Sequence, residues 1–304
     1  MRAEDLVAVV VCTRDRPAML RDLLATLPVA LRPGDELVVV DSASRDPRVA
    51  KVLEAAAGSG LPLRVVRCER PGASRARNAG VAATTAPVIA FVDDDCRPTA
   101  GWTAAIAGAF ARHPEIGFAY GSVIADDAPG IAVAVLPDAP LHADLGNIIG
   151  LGHGANLAVR STAFQSVGGF DEALGPGAPL RAAEDKDLQA RLLRSGWEGR
   201  FVPDAVVIHH TWRTRGQALA VGYRYGIGLG ALAMKLLRLD RDLTLFGHAL
   251  WLDGIRPTAG ALRHNWRYPA LAHALRTLGV VDGAFRASVR PLEGSRFRPT
   301  RRGR

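Results

Sequence analysis

The chain has 304 residues, of which 48% are hydrophobic and 22% charged. That supplies enough apolar side chain for one large domain or two ordinary ones of about 150 residues, and it excludes a largely disordered chain. The formal net charge is +8, but residues 290–304 hold six arginines against the single Glu293, so a tail carries most of the excess and basicity gives little support to a nucleic-acid partner.

Cys12, Cys68 and Cys96 have no CxxC spacing, which fits neither a disulfide framework nor a structural zinc site and suits a reducing compartment. The apolar run Leu6–Cys12 follows Glu4 and Asp5 and is too short for a signal peptide or a membrane span. Ala218–Met234 is interrupted by Arg224 and four glycines and does not read as a transmembrane helix. A cytoplasmic location is expected, with peripheral contact to the cytoplasmic face of a membrane left open.

Leu6–Cys12, Glu36–Asp41, Leu63–Cys68 and Pro87–Val92 are short, apolar, mostly valine-rich runs of the kind that form strands buried on both faces. Between them lie helical patterns. One begins at Pro17 with a stripe of Leu20, Leu23, Leu24 and Leu27, and two more span Val49–Ala57 and Ala73–Ala83. This alternation predicts an α/β fold with a mostly parallel sheet, whose ligands bind beyond the carboxyl ends of the strands. Polar residues cluster at those ends: Thr13-Arg14-Asp15 after the first run, Asp41-Ser42-Ala43-Ser44 after the second, and Asp93-Asp94-Asp95 after the fourth. Asp41 or Asp46 alone could be a helix cap. The three adjacent carboxylates repel one another and call for a counter-cation. Asp93 and Asp95 point the same way in an extended segment and could share a magnesium or manganese ion, with an acidic surface turn as the alternative. Pro71-Gly72-Ala73-Ser74-Arg75-Ala76-Arg77-Asn78 opens the third helix with two arginines, which suits a diphosphate or simply a solvated face.

Residues 126–150 carry Pro129, Gly130, Pro137 and Pro140 and read as an insertion or mobile loop. A short strand within 152–160, the segment Gly168-Gly169-Phe170-Asp171-Glu172, and a helix starting at Glu184-Asp185-Lys186-Asp187 follow. Acidic residues at a helix start also serve as dipole partners. Val206–Ile208 is a last short strand, ending in His209-His210.

Taken in order, VCTRDRP, VVDSAS, PGASRARNAG, FVDDDCRP, GANLAVR, GGFDE, AEDKDL and VIHH resemble an inverting glycosyltransferase of family 2 with the GT-A fold, over roughly residues 6–212. The resemblance implies a Rossmann-like nucleotide-binding sheet flanked by helices, a nucleoside-diphosphate sugar donor and a divalent cation, Mn2+ or Mg2+. It assigns Thr13, Arg14 and Asp41 to the base and ribose, Arg77 to the donor, and Asp93 and Asp95 to the DxD motif. Within that motif Asp95 is the more direct metal ligand, Asp93 lies nearer the ribose, and Asp94 touches the sugar. Asp185 matches the catalytic base and Glu184 its acidic neighbour. His209, or else His210, completes the metal site, and Asn156 faces the donor sugar or the acceptor. Residues 1–212 are then the catalytic domain, with 1–98 binding the nucleotide sugar and 99–212 serving the acceptor. Residues 213–304 form a helical extension with a mobile basic tail from 290.

The acceptor implied is a glycan, a lipid-linked molecule or a small molecule. In the extension, Leu229, Leu232, Ala233, Leu236 and Leu237 form a helical stripe, and Trp251 and Trp266 lie further on. These residues read as packing helices, or as a basic, Trp-bearing surface resting on an anionic membrane. Two other function classes are weighed. A sugar-phosphate nucleotidyltransferase would be expected to carry a lysine-bearing glycine loop after the first strand, where this chain has CTRDRP. A non-catalytic membrane- or nucleic-acid-binding module is permitted by the tail but opposed by the carboxylates gathered in the main cleft.

Overall fold

The computed structural model describes residues 6–127, 142–145, 148, 150 and 152–298, so the insertion expected over 126–150 lies for the most part outside the described residues. The valine runs become central strands because both of their faces are covered. In β1 (Val7–Thr13), Val7, Val9 and Val11 enter one core while Ala8 and Val10 enter another on the opposite face of the sheet. The first core takes Leu20 and Leu23 from α1 (Pro17–Leu24), Leu27 from α2 (Leu27–Ala30), Val49 and Leu53 from α3 (Arg48–Ala57), and Trp102, Ile106 and Phe110 from α5 (Trp102–Arg112). The second takes Ala76 and Val81 from α4 (Ala73–Ala82), Phe164 from α6 (Ser161–Ser166), and Phe170.

The remaining strands are β2 (Glu36–Ser42), β3 (Leu63–Cys68), β4 (Val88–Asp93), β5 (Cys96–Pro98), β6 (Ile116–Ala125), β7 (Asn156–Arg160) and β8 (Glu198–His209). They form one sheet in the order β3-β2-β1-β4-β7-β6-β8-β5. β1 pairs in parallel with β2 and β4, β2 with β3, and β6 with β8, while β7 and β5 run antiparallel to their neighbours. This is the α/β, GT-A-like architecture expected from the sequence. Strand β6 was not anticipated, and β8 is far longer than the Val206–Ile208 run. Both have glycine where an apolar residue would mark a strand. A Cβ on Gly121 of β6 would overlap the carbonyl oxygen of Ala205, where the β6–β8 register shifts, so close backbone approach excludes a side chain there.

The chain divides into two compact units, 1–170 with 188–212 and 171–187 with 213–304. The second unit contains the first turn of α7 (Glu184–Arg194) and four α-helical elements: α8 (Arg215–Asp240), α9 (Thr244–Gly247), α10 (Arg256–Arg263) and α11 (Arg267–Ser288). A π-helical stretch, His248–Ile255, joins α9 to α10. Thr214 and Gln217 cap α8 reciprocally: the Gln217 amide donates to Thr214 Oγ1 at 3.3 Å and the Thr214 amide to Gln217 Oε1 at 2.9 Å. Among the described residues no helix is long and apolar enough to cross a membrane. Gly226 and Gly230, two of the glycines that interrupt α8, serve its packing on α11. A Cβ on Gly230 would overlap the Val280 carbonyl, and one on Gly283 of α11 would overlap that of Ile227.

The tail departs from expectation. Residues 290–298 are not a mobile extension, because Leu292–Glu293 (β9) pairs antiparallel with Arg296–Phe297 (β10) and Phe297 is buried among Ala173, Leu174, Leu180, Ala231 and Ala287. One buried aromatic anchors the hairpin, a signal that the surrounding arginines obscure. Gly283→Ala is expected to destabilise the protein by about 1–3 kcal/mol through overpacking against backbone. Gly260→Ala, with open space around its Cβ, should be neutral or stabilising by up to about 1 kcal/mol. Urea unfolding of the two variants checks this.

Candidate functional site

Register levels three strand ends at one sheet edge. Thr13 pairs with Asp41, and Cys12 with Asp93, so the carboxyl ends of β2, β1 and β4 stand side by side. Asp41 is buried, accepts the Ser44 amide at 2.9 Å and forms an ion pair with Arg67. Thr13 Oγ1 donates to Asp94 at 2.8 Å. Arg14 is exposed, 3.6 Å from Asp15.

The acidic turn after β4 divides its three carboxylates between two arginines. Asp93, whose side chain is 40% exposed, accepts from Arg77 Nη2 at 2.9 Å, and Arg77 lies 5.5 Å over the Phe170 ring. Asp94 is buried and accepts from Arg16 Nη1 at 2.8 Å as well as from Thr13. Burial pushes the Asp94 carboxyl up to about 6 against the attraction of Arg16, and neighbouring Asp95 adds to the rise. Asp95 is buried, accepts from Trp212 Nε1 at 3.0 Å and lies 3.4 Å from Arg16 Nη1. Arg16 in turn stacks 4.9 Å over the Trp212 ring. Burial disfavours the Arg16 charge, but Asp94 and Asp95 outweigh it and raise the guanidinium above its usual range. Arg16 and Arg77 thus offset part of the charge of the three carboxylates.

The histidine doublet separates cleanly in space. His209 pairs with Cys96 across β8 and β5, is buried, and places Nε2 3.7 Å from Asp95 Oδ1. His210 instead lies with Nδ1 2.6 Å from Asp126 Oδ2, and its amide donates to the Asp95 carbonyl at 2.8 Å. Asp126 also accepts from Arg97 at 2.9 Å and from the Thr211 amide and hydroxyl at 2.9 and 2.8 Å.

Ligand atoms of Asp95, Cys96 and His209 all lie within 4.8 Å of one another. Burial drives the Cys96 thiol well above its usual range, and the other two donors of the set are a carboxylate and an imidazole. That pair suits Mn2+ better than Mg2+, which favours oxygen ligands. Asp93 is not in this cluster, its carboxylate being engaged by Arg77.

Asn156 is buried at the start of β7. Its side chain accepts from Trp102 Nε1 at 3.0 Å and donates to the carbonyls of Ser122 and Ala205 at 2.9 and 2.7 Å. These bonds to α5, β6 and β8 make it a staple of the sheet. Glu184 and Asp185 stand in the first turn of α7, Glu184 buried and Asp185 half-buried. They belong to the second unit, whereas the strand-end residues belong to the first. Between Asp185 and Asp187, burial lowers the pKa of Lys186 against the attraction of Asp185.

Sequence reasoning missed Arg16, Trp212 and Asp126. Arg16 stands three residues beyond the end of β1 in CTRDRP, and Trp212 three beyond His209. Both spacings carry a side chain back to the strand end it has just left.

Residues 8–137 match the model of glycosyl transferase family 2, and residues 88–280 that of glycosyl transferase family group 2. The second match takes in more than half of the chain, which belongs to the family 2 glycosyltransferases. It is 29% identical over 263 residues to a pre-mycofactocin glycosyltransferase of Mycobacterium tuberculosis, an alignment covering 80% of this chain and 51% of that protein. The chain thus spans about half the length of this relative. It is 42% identical over 64 residues to an N-acetylglucosaminyl-diphospho-decaprenol L-rhamnosyltransferase of the same organism, covering 21% of this chain and 19% of the relative.

Among solved structures, the fold is similar to a mannosyltransferase, PcManGT from Pyrobaculum calidifontis, in complex with GDP-Man and Mn2+. The TM-score is 0.63 at 18% identity, covering 92% of this chain and 86% of that one. It is also similar to GalNAc-T7 with UDP, GalNAc and Mn2+, with a TM-score of 0.59 at 15% identity, covering 86% and 53%.

The register of the doublet yields a test. Mn2+ is expected to raise the unfolding midpoint of the wild type and of His210→Ala, and to leave Asp95→Asn and His209→Ala unmoved, by up to about 2.7 kcal/mol at a hundredfold excess over the dissociation constant. A thermal-shift titration with MnCl2 measures it.

Proposed function

We propose that the chain transfers a sugar from a nucleoside-diphosphate sugar to an acceptor hydroxyl, with inversion at the anomeric carbon. One observation carries this reading: Thr13, Asp41 and the Asp93–Asp95 turn converge on one sheet edge, with His209 brought beside Asp95. Family membership and the likeness of fold support it.

In this reading Thr13, Arg14 and Asp41 hold the base and ribose. Asp41 is oriented by Arg67 and the Ser44 amide. Asp95 and His209 would hold a divalent cation, which when bound neutralises charge on the leaving phosphates. Arg77 adds a fixed positive charge on the donor side, held in place by Asp93 and the Phe170 ring. Asp94, locked between Thr13 and Arg16, keeps Arg16 turned toward the acidic turn.

Displacement at the anomeric carbon also needs a group that takes the proton from the attacking hydroxyl. Asp185, half-buried at the start of α7, is the residue proposed for it, with Glu184 as its acidic neighbour. A single displacement from the face opposite the leaving group inverts the configuration.

Incubation with Mn2+ and UDP-, GDP-, dTDP- and CDP-sugars in turn should release one nucleoside diphosphate, and release from none of them would overturn the reading. Asp185→Asn should lower turnover by about 10²- to 10⁴-fold while donor affinity stays within several-fold. Equal loss of both would remove Asp185 from the role of base.

The second unit favours an anionic lipid surface as a further partner. Trp251, Leu252, Ile255, Leu262 and Trp266 are exposed large hydrophobics, Trp266 at 60%, interleaved with Arg256, Arg263 and Arg267. A surface of this kind would receive a lipid-linked acceptor. The protein is expected to co-sediment with phosphatidylglycerol-containing vesicles at low salt and to be released at about 1 M salt, where charge attraction is screened within about 3 Å. Trp251→Ser with Trp266→Ser should weaken the low-salt binding.

A further inference from the structure

Lys235 of α8 is buried, and its ammonium donates to Asp171 Oδ2 at 2.7 Å and to Asp187 Oδ1 at 2.6 Å. The Phe297 ring centroid lies 4.5 Å from the same nitrogen. Asp171 also accepts the Phe297 amide on Oδ2 at 2.7 Å and the Ala173 amide on Oδ1 at 3.0 Å, so both of its oxygens are engaged. Asp171 and Asp187 are the two ends of the segment 171–187, so one ammonium closes that segment into a loop.

The conformation of the segment is imposed from outside it. Arg181 and Ala183, immediately ahead of α7, each hold φ at 66°, in the left-handed region that residues with a Cβ rarely adopt. Such a conformation persists where surrounding contacts over-determine it. Those contacts are visible: Leu174 and Leu180 pack with Ala231, Ala287 and Phe297, and Gly228 of α8 leaves no room for a Cβ beside the Ala182 backbone. Asp187 stands two positions after Asp185, less than one helical turn, so the ion pair that fixes Asp187 also fixes the direction in which the first turn of α7 presents Asp185.

We propose that Lys235 is a positioning residue for transfer: by clamping both ends of 171–187 it holds Asp185 in reacting geometry, and the C-terminal hairpin completes the clamp. The inference rests on the reading of Asp185 as the base. It differs from a contribution to stability alone, because a misplaced base slows the chemical step while leaving donor binding intact. A displacement of about 1 Å is enough to cost on the order of 100-fold in rate.

The test compares wild type, Lys235→Met, Asp187→Asn and Asp185→Asn, using Mn2+ and the nucleotide sugar that the wild type turns over. For each, kcat is expressed per nucleotide-binding site, counted by titration with the matching nucleoside diphosphate and Mn2+, so loss of folded protein does not mimic a slow step. Lys235→Met is expected to lower kcat by about 10- to 100-fold with the donor KM and nucleotide affinity within twofold. Asp187→Asn keeps an acceptor for the ammonium and should fall between it and wild type.

An unchanged kcat per binding site, or a fall in nucleotide affinity equal to the fall in kcat, overturns the proposal. Should Lys235→Met not fold, Asp187→Asn is judged by the same two criteria. Full turnover by Asp185→Asn would instead overturn the assignment of the base, an outcome read separately from the Lys235 series.

Discussion

Asp93, Asp94 and Asp95 follow one another at the end of a buried strand, and two of the three side chains are themselves buried. Like charges about 4 Å apart at an effective dielectric of about 20 repel by about 4 kcal/mol, so this sheet edge depends on how that charge is answered. The chain answers with arginines drawn from two directions: Arg16 from the turn after β1, and Arg77 from the first turns of α4. Each is backed by an aromatic ring, Trp212 and Phe170 respectively, which holds a planar cation in place without competing for its hydrogen bonds.

Strand β8 connects this turn to the rest of the sheet. It runs parallel to β6 and then beside β5, which follows the acidic turn, and so delivers His209 to Asp95. The next residues continue the same work: the His210 amide bonds the Asp95 carbonyl, and the Trp212 indole bonds its carboxylate. Four consecutive residues thus give one imidazole beside Asp95, one backbone tie, one link through Thr211 to Asp126, and one indole clamp. A shift of β8 by one residue would exchange His209 for His210 and lose the arrangement, because the side-chain period of a strand is two. The Asn156 staple joining α5, β6 and β8 opposes such a slip.

The parts of the fold legible in the sequence are those where burial on both faces writes a continuous apolar run: β1, β2 and β4, and with them the level of Thr13, Asp41 and Asp93. The illegible parts share a physical cause, namely residues chosen for backbone proximity. Gly121 of β6, and Gly230 and Gly283 where α8 meets α11, contribute no hydrophobic signal because packing there excludes a side chain. Arg16 was hidden by its position ahead of Pro17, where it reads as a helix entry, although the stack on Trp212 is what it forms. The doublet His209-His210 could not be resolved because alternation assigns each residue to a face only once strand register is known. Asn156, which the family resemblance set toward the donor sugar or the acceptor, also has a structural part that its sequence does not show: a buried amide whose hydrogen bonds tie α5, β6 and β8 together.

The sheet edge and the 171–187 segment are built on different principles. At the edge, backbone ladders place the residues and side chains only tune their charge. The segment has no ladder of its own, and its ends are joined by Lys235, Asp171 and Asp187. A buried ion cluster is a weak source of stability, because desolvation consumes most of the Coulombic gain and apolar side chains of similar volume often do as well. What it supplies is discrimination: an apolar patch can slide by part of a residue at little cost, whereas an ammonium set between two carboxylates has one arrangement that satisfies all three. Such discrimination has a use where α7 begins, since its first turn carries Glu184 and Asp185, and the left-handed Arg181 and Ala183 just ahead of it would relax if the segment were free to choose. The hairpin that buries Phe297 then extends the same logic to the C-terminal strands, which reach Asp171 through a backbone amide whose position no substitution of side chain can supply.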